Sequence, residues 1–145
     1  MKLLTRMKVL LNRVVLKRPL FEVYDADDRI AKYIIETLLE YRAKENGSHP
    51  MKYLENEWNK RQKKILIGFY AYLLDSKNKD CLKKKQIMLL DSYVRELVYP
   101  IEQIAFKDYG DSVIYSTYKE NQKIRMKIFD EGMNILKEDF NLLWM

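Results

Sequence analysis

One histidine and one cysteine are the whole stock of imidazole and thiol groups in this 145-residue chain. A Ser–His or Cys–His nucleophile, or a zinc site built from several Cys and His ligands, has little to draw on. His49 sits in a Gly-Ser-His-Pro loop beside Ser48, with no third group in view to orient it. Cys81 falls at an expected helix start, where the dipole would lower a thiol pKa, but a plain surface or half-buried cysteine is the simpler reading. The acids Asp25, Asp27 and Asp28 lack the spacing of a calcium loop and read as helix-capping residues. Glu36 and Glu40, one helical turn apart, are the nearest pair for acid–base work, and their setting reads as a solvated face. No glycine-rich phosphate loop and no nucleophile elbow occurs. The expectation is therefore no catalytic residues, no cofactor and no metal: a protein that is not an enzyme.

Positive charge carries more information. Lys plus Arg number 27 against 21 acids, a formal charge of +6. Lys2, Arg6, Lys8, Arg13, Lys17 and Arg18 lie within residues 1–18, which contain no acid, so the remainder balances 21 basic against 21 acidic groups. The pI near 9.2 thus describes a basic N-terminal element on a neutral body. If all six of those side chains met phosphates, the affinity for DNA would fall with a log–log salt slope of about −5. Lys60, Arg61, Lys63 and Lys64 form a second basic stretch, followed by Phe69, Tyr70 and Tyr72, and Lys83–Lys85 a third. A basic helix with aromatics nearby is one way to track a nucleic-acid backbone. Acids at Glu55, Glu57, Asp75 and Asp80 favour instead a solvated, internally balanced face.

Apolar spacing gives the elements that would hold these groups. Leu3, Met7, Leu10 and Val14 mark an amphipathic helix over 2–17, stopped by Pro19. Ile30, Ile34, Leu38 and Tyr41 mark a second, ending near Ala43 before the loop 45–49. Pro50 suits the first turn of a third helix running to Leu74 through Leu54, Trp58, Ile65 and Phe69, with a polar middle at 59–64 facing water or a partner. Asp80 is placed to cap a fourth, which stops before Pro100, and a short helical piece covers 101–106. Residues 112–118 are rich in strand formers and could pair with 20–24. Two short strands alone would be marginal, so the stretch is read as helical or irregular. The last helix has the clearest pattern: Met126, Phe129, Met133, Leu136, Phe140 and Leu143 alternate steps of three and four, with Gly132 a weak point inside it.

Four glycines and three prolines suit long helices better than many tight turns. The fold expected is all-α: a single-domain bundle of about five to six helices, with a basic amphipathic N-terminal helix (1–18), a helical domain (19–145) and a heptad-patterned C-terminal helix. The third and last helices should form its spine. Core positions are Ile34, Leu38, Leu54, Trp58, Phe69, Leu90, Val94, Phe129, Met133, Leu136 and Phe140. Charges interrupt every apolar run, so no membrane span is expected, and peripheral membrane contact is not the favoured use of the basic helix. A secretory signal is not evident, which points to the cytoplasm or the inside of a viral particle.

The functional expectation is a non-catalytic helical interaction or assembly protein, such as a small subunit of a viral particle or another multi-subunit complex. It would bind protein subunits, self or hetero, through Met126, Phe129, Met133, Leu136, Phe140 and Leu143. The alternative is a nucleic-acid-binding protein acting through residues 1–18 and the Lys60–Lys64 stretch.

Overall fold

The computed structural model describes residues 25–44, 49–76, 78–107 and 115–144, together with residue 7. The expected N-terminal helix, the connector 19–24 and residues 108–114 fall outside the described residues, except that Met7 is helical and exposed. Every regular element described is helical. In chain order they are α1 (Ala26–Lys44), α2 (Glu55–Leu74), a 3-10 turn (Lys79–Cys81), α3 (Lys84–Leu97), α4 (Pro100–Gln103), a second 3-10 turn (Ile104–Phe106), α5 (Tyr115–Asp139) and a terminal 3-10 turn (Phe140–Trp144). The all-α, single-domain architecture is as expected.

α2 is the centre. From Ile65 to Ala71 every residue is buried, which an amphipathic surface helix cannot achieve. α5 packs along it most extensively, and α1 and α3 flank it. α1 contributes Ala31, Ile35 and Leu38, and α3 contributes Leu90 and Val94. At Gly68 and Gly132, α2 and α5 meet backbone to backbone. A Cβ placed on Gly68 would lie 3.1 Å from the Cα of Gly132 and 3.1 Å from the carbonyl oxygen of Ile128. One placed on Gly132 would lie 3.0 Å from the carbonyl oxygen of Lys64. Gly132 is therefore the crossing point of the two helices and not merely a weak spot in one.

Helix ends follow local chemistry. α1 carries Asp27 and Asp28 in its first turn and Arg42 and Lys44 in its last, each suited to its end of the dipole. The acids do more than cap. Asp27 accepts from the hydroxyl of Tyr72, and Asp28 accepts from Asn78 Nδ2 at 2.7 Å, tying the start of α1 to the end of α2. At α3, Gln86 Oε1 accepts the Lys83 backbone N–H at 3.0 Å. At α4, Pro100 takes the first position, and Glu102 accepts the Tyr99 N–H at 3.2 Å.

Several expectations change. Pro50 opens a turn, closed by the Tyr53 N–H on the Pro50 carbonyl at 3.1 Å, and the helix begins only at Glu55. Tyr53 is held elsewhere: its ring stacks on Trp58 at 5.9 Å and its hydroxyl donates to Asp139. Leu54, expected in the core, is consequently 70% exposed in that turn. Asp80 belongs to the 3-10 turn, so α3 begins four residues later. Helix α5 starts at Tyr115, which settles 115–118 as helix, while 112–114 lie outside the described residues. Met133 and Phe140 are exposed, because the buried side of α5 runs through Asn121, Arg125, Gly132, Ile135 and Asp139.

Candidate interaction surface

The residues with chemical potential are dispersed. His49 is exposed, its Nδ1 lying 3.2 Å from the Pro50 carbonyl. Cys81 is half-buried, and burial pushes its thiol up to about 11, partly opposed by Lys32. A thiol with that pKa is almost entirely protonated at neutral pH, the reverse of what a helix dipole would do. Glu36 pairs with Lys32, and Glu40 with Lys44 at 2.7 Å, each one turn away on α1. Lys44 also holds the Glu40 carboxyl below its ordinary value. Among the described residues, no three Cys, His, Asp or Glu side chains come together as a metal site would require.

The second basic stretch is largely spoken for. Lys60 is exposed. Arg61 donates from Nε to Asp139 Oδ2 at 2.7 Å and from Nη2 to Glu138 at 2.6 Å. Lys63 reaches both Glu96 oxygens on α3, at 2.8 and 3.0 Å, and Lys64 pairs with Glu131 on α5 at 2.9 Å. While Asn59 and Lys60 face water, the polar middle of α2 turns the buried Gln62 and Lys63 toward its neighbours. It has polar company there: Arg42 donates to Gln62 at 2.8 Å, and both Arg42 and Lys63 lie over the Tyr93 ring.

The strongest of these contacts is the Tyr53–Arg61–Asp139 group. Asp139 is 1% exposed, accepts from Tyr53 at 2.7 Å and takes two bonds from Arg61, whose guanidinium lies 4.7 Å from the Tyr53 ring. The hydrogen bond to Asp139 drives the Arg61 pKa further above its ordinary value against the opposing effect of burial, and together with burial it raises that of Tyr53. A second buried ion pair anchors the other end of α5: Arg125 donates to Asp75 at 2.8 Å and to the Ala105 carbonyl. Sequence spacing could not reveal these pairs, since the partners lie 50 and 78 positions apart.

Between α2 and α5 runs an open groove of about 550 Å³. Its charged rim alternates sign: Arg61, Lys64 and Lys127 against Asp130, Glu131 and Glu138. Such a surface focuses no field of one sign.

Apolar exposure is the more informative feature. The six-residue pattern of α5 divides lengthwise. Phe129, Leu136 and Leu143 are half-buried against the core, Phe129 lying edge-on to Phe69 at 5.4 Å and against Tyr72 at 4.8 Å. Met126, Met133 and Phe140 face outward, 45, 41 and 51% exposed. A second exposed apolar set, Met88 and Leu89 on α3 with Tyr99 and Ile101 at α4, was not anticipated. Its signal was present in the run Ile87–Leu90, where one helix face cannot bury all four. No helix among the described residues is long and apolar enough to cross a membrane. Comparison with protein families, with characterised proteins and with solved structures finds no match to this chain.

Proposed function

We propose that the protein is a non-catalytic helical interaction or assembly protein that docks through the outer face of α5. The observation that carries this reading is the exposed row formed by Met126 and Met133 on α5 and by Phe140 at the start of the terminal 3-10 turn, on a helix that packs its buried side along α2. Large apolar side chains aligned on one exposed face mark interaction sites more often than isolated ones do. Glu36 and Glu40 are each tied to a lysine of their own helix, and burial holds the Cys81 thiol protonated, which fits the same reading. A small subunit of a viral particle or another multi-subunit complex is the setting such a chain would suit. The test is photocrosslinking from position 133, with position 127 on the groove side as control. Crosslinks from 133 alone are expected; equal yields from both positions, or none from either, would sink the reading.

The nucleic-acid alternative now leans on residues 1–18, because carboxylates of α3 and α5 occupy Arg61, Lys63 and Lys64. A titration against DNA and RNA at several salt concentrations tests it. A salt slope near −5 that vanishes on removal of 1–18 is the outcome it requires.

A further inference from the structure

The exposed row on α5 is complementary to itself. Met126, Met133 and Phe140 are spaced by seven residues, the first two on α5 and the last opening the terminal 3-10 turn, and span about 21 Å. Beside the row, on the edge toward the α2–α5 groove whose rim Asp130 helps to form, lie Asp130 and Lys137, both exposed. Neither makes an ion pair with a described residue. Their placement is what matters. Asp130 precedes Met133 by three positions and Lys137 follows it by four. When two copies of α5 are laid antiparallel with Met133 facing Met133, Met126 of each lies level with Phe140 of the other. Asp130 of each then falls within one residue's rise, about 1.5 Å, of the level of the other's Lys137. A two-fold axis through the Met133 pair sets these flanks on the same side of the seam, so both charge pairs form at once.

A parallel arrangement has no such match. There the flank bearing Asp130 and Lys137 would face the opposite flank of the partner, formed by the half-buried Phe129 and Leu136 and, beyond them, Arg125, Gly132 and Asp139. Arg125 and Asp139 are buried and paired within their own chain, and Gly132 lies against α2. Only the antiparallel pairing leaves the fold intact while satisfying the exposed charges.

We propose that the occupant of the α5 face is a second copy of this chain, docked antiparallel about Met133 with reciprocal Asp130–Lys137 pairs. This rests on the reading that α5 is the docking face and names its partner. The test is sedimentation velocity on the full chain from low to high micromolar concentration, with circular dichroism as the check on folding. The wild type is expected to dimerise. Met133→Glu, which sets two carboxylates at the dyad, should weaken the dimer at least about tenfold without altering the helical spectrum. Asp130→Lys should weaken it, and Asp130→Lys combined with Lys137→Asp should restore it. A wild type that stays monomeric throughout, a dimer indifferent to Met133→Glu, or a charge swap that fails to rescue would each overturn the proposal. If the chain is monomeric but crosslinks from position 133 to a different protein, the self-pairing is wrong and the docking face stands; with no crosslink either, both fall.

Discussion

Asp139 shows how much one side chain can be asked to hold. It is almost fully buried, and its partners Tyr53 and Arg61 come from a turn and a helix some 80 positions earlier. Removing one member of a buried pair leaves the other charged and unmatched. Asp139→Ala should therefore cost about 3–5 kcal/mol in urea unfolding, little changed by salt. Glu138 contacts the same Arg61 from an exposed position, and Glu138→Gln should cost less than about 1 kcal/mol. Titration gives a second handle. Tyr72 is pushed up to about 12, first by its hydrogen bond to Asp27, and burial pushes Cys81 up to about 11. Groups whose pKa rises on folding stabilise the fold below their unfolded pKa, and that contribution is lost as pH climbs to the folded value. Stability should fall between about pH 9 and 12. Cys81→Ala should flatten the part below about 11, and Tyr72→Phe the part above 10. Asp27 shifts the other way, its carboxyl held below 3.8 by the same hydroxyl, so Tyr72→Phe should also soften the loss of stability in acid.

At the scale of helices, the α2–α5 crossing makes the sharpest claim. A glycine inside an exposed helix is normally improved by alanine by about 0.5–1 kcal/mol. Here the added methyl would meet backbone at 3.0–3.1 Å, and backbone cannot swing aside as a side chain can. Gly132→Ala and Gly68→Ala should each destabilise by about 1–3 kcal/mol in thermal or denaturant melts. This contact also marks how far the sequence could be read. Helix identities were legible, because Pro100, the acids before Ile30 and the three–four spacing of α5 act within a few residues. The closeness of Gly68 and Gly132 depends on two helices joined by a long excursion through α3 and α4, and nothing near either glycine announces it. The same holds for Arg61, Lys63 and Lys64, whose charges looked free beside their own neighbours and are balanced by helices that come later. Periodicity picked out six apolar residues along α5 and the turn that follows it. It could not say that only Phe129, Leu136 and Leu143 would turn toward the core, since that depends on which side α2 approaches.

At the scale of the whole molecule, charge is unevenly placed along the chain. Among the described residues, the apolar core draws on side chains from Ala31 to Leu143. The excess of positive charge lies entirely within residues 1–18. Deleting those residues should leave a cooperatively unfolding helical domain with its melting temperature within a few degrees of the full chain. It should also bring the net charge to zero, checked by ion-exchange retention. If binding to nucleic acid exists it should disappear with them, whereas self-association through α5 should persist.

The bare contact at Gly68 and Gly132 has a consequence for that surface. Side-chain seams tolerate small slips, since knobs can find neighbouring holes. A backbone notch tolerates none: moving α5 by one residue would drive the side chain of Glu131 or Met133 into α2. One residue is also about 100° of rotation, enough to swing the Met126–Phe140 row away from solvent. The notch therefore works as a keyway, and what it keys is the compass bearing of a face on the far side of the helix.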